Sequence, residues 1–169
     1  MDTLTAIHNR RSVRSWTGEP VSDEHLDILL RAAMTAPSSD NAQPWHYIVI
    51  RNKDGLQAMA DVNKWIGMAP KADLGIIVCG ELALEETPGL YQHDCSAAIQ
   101  NMLLAAVDLG LGAVWTGVNY DPELVVNYSK LFGIPEGVIP HSLVLIGHPA
   151  KEQKPRDRFR PERIHREKW

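Results

Sequence analysis

Leu26, Leu29, Leu30 and Ala33 recur at i, i+3, i+4 and i+7, which places them along one face of a helix. Ser22 stands ahead of them as a cap, Asp23 and Glu24 complement the helix dipole, and Val21 can pack on Leu26 as a staple. A shorter helix is predicted upstream, with Asp2 or Thr3 as its cap and Leu4 and Ile7 on its apolar face, running out into Arg10–Arg14. The Ser22 helix delivers the chain to Pro37, which cannot continue a helix. Four short polar residues follow, Ser38, Ser39, Asp40 and Asn41, each suited to local backbone bonding. After Pro44 the chain turns β-branched and aromatic and predicts a strand over Trp45–Ile50. The turn Asn52-Lys53-Asp54-Gly55 closes it, and a less regular helix is expected over about 56–65, with Pro70 beyond its end.

Leu74–Cys79 is continuously apolar, as a strand buried on both faces is. Residues 81–89 are acidic, contain Pro88, and read as a surface loop. From about Asp94 to Leu109 runs a helix that is apolar nearly all round, stopped by Gly110 and Gly112. Such a helix is covered either by its own chain or by a partner subunit. Ala113–Thr116 predicts a third strand ending at Gly117. Asp121 caps a helix with Pro122 at its first position, Leu124, Val125, Tyr128, Leu131 and Phe132 facing inward, and Gly133 as its stop. Ser142–Ile146 is the fourth strand, and residues 151–169 are polar and basic without apolar periodicity. Strands alternating with helices predict an α/β or α+β sandwich, in one domain over 1–169.

A net charge of −4 argues against a dedicated nucleic-acid binder, but the charge is unevenly placed. Lys151, Lys154, Arg156, Arg158, Arg160, Arg163, Arg166 and Lys168 put 8 of 17 basic residues in the last stretch. A nucleic-acid arm would look similar, although no aromatic stacking platform accompanies it. Cys79 and Cys95 lie far apart in apolar stretches and form neither a redox pair nor a metal set, so buried, reduced thiols in a cytoplasmic protein are expected. The seven histidines are scattered, and no metal site is expected. No signal-like h-region opens the chain and no apolar run approaches the roughly 20 residues of a membrane span, so no membrane partner is expected.

Two stretches carry candidate chemistry. Arg10, Arg11 and Arg14 with Ser12 form a compact cationic cluster able to make charge-assisted, partly bidentate bonds to phosphate. The alternative is a solvated charge run at a helix end. Ala36–Ile50 sets hydroxyls and an amide on a loop at the mouth of a sheet, where α/β proteins commonly bind ligands. Its alternative is an ordinary helix-to-strand turn.

Taken together, Arg10-Arg11-Ser12-Val13-Arg14 and Pro37-Ser38-Ser39-Asp40-Asn41-Ala42-Gln43-Pro44-Trp45 resemble the FMN-dependent nitroreductase family, and the likeness continues through Trp115-Thr116-Gly117 and the basic tail. The resemblance implies a mixed central sheet flanked by helices, in an intertwined homodimer whose C-terminal arm, about 151–169, packs on the partner. It implies FMN held non-covalently by Arg10, Arg11, Ser12 and Arg14, by Arg156 and Arg158 closing on the phosphate, and by Pro37, Ser38, Ser39 and Asn41 from the other subunit. Arg14 would stabilise the negative charge that reduction brings to the pyrimidine end of the ring, with Lys64 the nearest candidate for a second cation. Trp115, Thr116 and Gly117 would bring backbone groups to the ring edge near N5. Many larger relatives have Pro-x-Glu-Gly there, so the substrate side differs. The implied activity is ping-pong hydride transfer through flavin N5 from NAD(P)H to nitroaromatics, quinones or similar electron-poor acceptors, with no side-chain nucleophile. A non-catalytic flavin-binding protein and a flavin-dependent reductive dehalogenase are the alternatives within the same resemblance.

Overall fold

A computed structural model describes residues 1–169. Five helices and four strands alternate along the chain: α1 (Thr3–Asn9), α2 (Asp23–Met34), β1 (Trp45–Ile50), α3 (Lys53–Val62), β2 (Leu74–Glu81), α4 (Tyr91–Asp108), β3 (Gly112–Gly117), α5 (Pro122–Phe132) and β4 (Val138–Gly147). Local chemistry sets most of the boundaries. Asp2, Ser22 and Asp121 cap α1, α2 and α5 through side-chain oxygens, and Gly133 ends α5 in a left-handed conformation at φ 62°.

Three boundaries differ from expectation. The Asn52–Gly55 stretch is the first turn of α3 rather than a separate turn, because the Asn52 side chain accepts the Gly55 N–H at 2.6 Å. Helix α4 begins a turn earlier, at Tyr91, and a 3-10 turn at Leu82–Leu84 lies in the acidic loop. Strand β4 starts at Val138 instead of Ser142, and tolerates Pro140 because the ladder is bulged there, with Val78 opposite Ser142 but Cys79 opposite Pro140.

The strands form one sheet in the order β1-β2-β4-β3, and all three ladders are antiparallel. The mixed sheet implied by the resemblance is thus not found within this chain, where the one parallel pairing is the isolated bridge between Ser12 and Ala113. β1 reaches β2 through α3, β3 reaches β4 through α5, and the chain between β2 and β4 runs through α4, β3 and α5, yet each strand lies antiparallel to its neighbour.

Helices cover both faces. Leu74, Ile76 and Val78 of β2 point to a core shared with Leu29 of α2 and with Cys95, Ile99 and Met102 of α4. Ile77 and Cys79 point the other way, to Leu56 and Met59 of α3 and Tyr128 of α5. This two-sided burial explains the unbroken apolar run of β2. Cys79 and Cys95 are buried free thiols, and desolvation pushes both up to about 12, so neither is a nucleophile near neutral pH. No helix is long and apolar enough to cross a membrane. Residues 151–169 are exposed throughout.

Candidate functional site

The extended segment after α1 is stitched to the edge of β3. Val13 N–H donates to Ala113 O at 2.9 Å, and the Trp16 indole N–H donates to Gly112 O at 2.8 Å. Val13 and Trp16 are buried, while Ser12 and Arg14 on either side of Val13 are exposed. Arg10, Ser12, Ala113 and Trp115 then line a cavity of about 250 Å³ whose other wall is Gln100 and Leu103 of α4. Ala113 and Trp115 alternate onto this face of β3, and Gly117 is the next residue in the alternation. Trp115 is oriented by its indole N–H, which donates to Ser142 Oγ at 2.7 Å. The Thr116 side chain falls on the opposite face, where its Oγ1 is buried without a partner, so only its backbone is open to the role expected of it. Gln100 is the lining residue the sequence reading missed. Its signal was the polar pair Gln100-Asn101 midway along a helix whose surrounding positions, Ala97–Ile99 and Met102–Val107, are apolar.

Arg10 also lines a second cavity of about 230 Å³ together with Arg11, Arg156 and Arg158, so two distant basic stretches converge. Desolvation first, and then the guanidiniums of Arg158, Arg10 and Arg156, hold the Arg11 pKa below the usual arginine value. Asp157 is the single carboxylate lining this cavity. Arg11 itself works as a clamp. Its Nη1 donates to His8 O at 2.9 Å and Arg10 O at 2.5 Å, and its Nε donates to Lys154 O at 3.1 Å, fixing the start of the arm.

The Pro37–Asn41 loop is equally ordered but lies elsewhere. Ser39 N–H donates to Asp94 Oδ1 at 3.0 Å, Ser38 Oγ accepts Gln43 N–H at 3.0 Å, and Gln43 Nε2 donates to Asn41 Oδ1 at 3.0 Å. Asp40, Asn41 and Gln43 have φ of 50°, 57° and 47°, with Ala42 between them right-handed at φ −63°; Asp and Asn accept such left-handed positions more readily than most residues. Asp94 is in the first turn of α4, whereas Gln100 and Leu103 are about 9 to 13 Å further along at about 1.5 Å per residue. Pro37, Ser38, Ser39 and Asn41 therefore line neither of the cavities that Arg10 lines in their own chain. Lys64 is also apart: its Nζ sits 5.2 Å from the Trp65 ring centre, in a cavity of about 480 Å³ that includes Tyr120.

Residues 7–83 and 91–148 match the Nitroreductase family, and the chain belongs to it. It is 47% identical over 169 residues to a Methanothermobacter thermautotrophicus protein provisionally named NADH dehydrogenase/NAD(P)H nitroreductase, covering all of this chain and 88% of that one. Among solved structures, a similarly named protein from Parabacteroides distasonis superposes with a TM-score of 0.94 at 36% identity, over 99% of this chain and 98% of that one. A nitroreductase from Desulfovibrio desulfuricans, crystallised in complex with FMN, superposes with a TM-score of 0.85 at 31% identity, over 100% and 98% of the two chains.

Proposed function

We propose that this protein is an FMN-dependent oxidoreductase that takes reducing equivalents from NAD(P)H and passes them to a nitroaromatic, quinone or similarly electron-poor acceptor. The observation that carries the reading is the convergence of Arg10, Arg11, Arg156 and Arg158 beside the Ser12–Trp115 cavity. Four guanidiniums with one carboxylate among them repel one another, and a phosphate dianion is the partner that turns that repulsion into charge-assisted bonds.

FMN, when bound, supplies the two-electron chemistry. Arg10, Arg156 and Arg158 would hold its phosphate, Ser12 would add a hydroxyl, and Arg11 would keep the arm closed over that end. Trp115 and Gln100 wall the course from the phosphate end towards Gly117. Gly117 leaves its peptide uncovered by any side chain of its own, as a backbone contact to the ring edge requires. Arg14, exposed two residues beyond Ser12, is the cation available to the pyrimidine end. The Tyr120 ring lies 3.1 Å from where a Gly117 side chain would begin, and Tyr120 and Trp65 give the cavity that also holds Lys64 aromatic surfaces suited to an electron-poor acceptor.

The protein acts as a homodimer with each site completed by the partner's Pro37–Asn41 loop. Three features support this. The loop is rigidly held yet outside its own chain's cavity. Ala97, Gln100, Leu104 and Val107 leave a half-exposed stripe at helical spacing along α4. The basic arm, with Phe159, Ile164 and Trp169 exposed, suits the unpaired outer edge of β1 on a second copy. Removing residues 161–169 is expected to shift the protein from dimer to monomer in sedimentation and to cost it flavin.

The visible spectrum, recorded anaerobically before and after NADH or NADPH, tests the activity. Flavin bands that bleach and return on adding a quinone are expected. Bands that persist with both donors would make the protein a flavin carrier, and a colourless protein that takes up no added FMN would overturn the site.

A further inference from the structure

We infer that His141 is a positioning residue, whose bulged place in β4 couples helix α4 to the turn carrying the Gly117 peptide. The β2–β4 register passes from Val78–Ser142 directly to Cys79–Pro140, leaving His141 as the extra residue. A bulge re-aims both the carbonyl and the side chain at that position. The His141 carbonyl accepts two N–H groups of the turn after β3, Val118 at 2.9 Å and Asn119 at 3.1 Å. Its ring points instead to the first half of α4, edge-on to Tyr91 with centres 6.1 Å apart and Nε2 at 3.3 Å from Ser96 Oγ.

The tautomer follows from proton counting. The Ser96 hydroxyl has one hydrogen and donates it to Gln92 O at 2.6 Å, so towards His141 it can only accept. His141 Nε2 therefore carries the proton. Nδ1 is then a bare acceptor, buried and without a partner. Desolvation pushes the ring down to about 4, so it is neutral in the working range. A buried polar group left half-satisfied costs free energy that an apolar residue would avoid. What the position provides is a tie with one end on α4, the helix that also walls the Arg10–Ser12 cavity, and the other on the Gly117–Asn119 turn. The bearing on catalysis rests on the proposed FMN site; the tie itself does not.

Backbone amide exchange in the purified protein tests the tie, and the flavin absorption of the FMN-loaded protein tests its reach. His141→Phe keeps a ring but no donor, and is expected to speed exchange at Val118 and Asn119 by about tenfold, the scale of one lost hydrogen-bond coupling. Amides of Ile48 and Ile77, in β1 and β2, should be unchanged. His141→Gln retains an N–H donor and should stay within about threefold of the parent. The flavin absorption maximum should move in the Phe variant and return in the Gln variant. Ser96→Ala removes only the acceptor and should loosen the same two amides, which keeps the test open if the Phe variant does not fold. Unaltered exchange at 118 and 119 in the variants, or loosening spread equally over the sheet, would reduce His141 to a core residue. Should the protein bind no flavin, the functional reading fails while the exchange result still decides the tie.

Discussion

The backbone N–H of Ser39 donates to the carboxylate of Asp94 at 3.0 Å, across 55 residues of chain. Asp94 is buried, and this bond fixes the polar loop on the first turn of α4. A hydrogen bond to a charged group is worth about 1.5–3 kcal/mol. Asp94→Ala is therefore expected to lower unfolding free energy by about that amount and to weaken FMN binding about tenfold. Asp94→Asn, which keeps an acceptor oxygen, should do less on both counts. Urea unfolding and flavin fluorescence titration measure the two effects, and equal losses in the Ala and Asn variants would show that the bond is not what holds the loop.

The arginine cluster makes a prediction that depends on the ligand. Replacing Arg10, Arg156 or Arg158 by alanine should weaken FMN binding about 10- to 100-fold each, the range of one charge-assisted bond. Riboflavin has no phosphate, so its affinity should scarcely change. Parallel titrations with the two flavins check this, and equal losses for both would remove the cluster from the phosphate.

Gly112 has no room for a side chain. A Cβ there would lie 2.7 Å from Val13 Cγ1 and 2.9 Å from Val13 Cβ, in a segment pinned at both ends. Gly112→Ala should cost about 1–3 kcal/mol, as overpacking commonly does, and weaken FMN binding by displacing Ser12. A stability loss without any change in flavin affinity would separate this strand edge from the site.

His141 sets a pH dependence. The folded ring titrates near 4 against 6.5 for an ordinary histidine, so between these values the unfolded chain binds the extra proton. Stability from this residue is therefore complete above about pH 6.5 and falls as the pH drops towards 4, by on the order of 2–3 kcal/mol. Urea midpoints between pH 7.5 and 4.5 should show the parent losing stability relative to His141→Gln as the pH falls through that window. A gap that does not vary with pH would mean the ring is not buried neutral.

Much of the fold is written in short-range chemistry. Ser22, Asp121 and Gly133 end their helices through bonds or backbone angles involving close neighbours, and the apolar run of β2 announces burial on both faces. Errors fall where a local signal had two meanings. Asn52 and Gly55 suit a turn and a helix cap equally, and Pro140 disguised the start of a strand whose bulge accommodates it.

The candidate residues divide in the same way. The sequence by itself determined that Arg10–Arg14, Ser38–Asn41 and Arg156–Arg158 are clusters of groups chemically able to bind a ligand, because residue type and spacing are local properties. Only the tertiary structure decided that Arg10 meets Arg156 and Arg158, that Arg11 clamps the arm, that Gln100 lines the cavity, and that the Ser39 loop sits away from it. Those outcomes depend on which surfaces pack and in what register. A single extra residue in β4 turns His141 onto α4, and nothing in the neighbouring residues records which strand will lie opposite it.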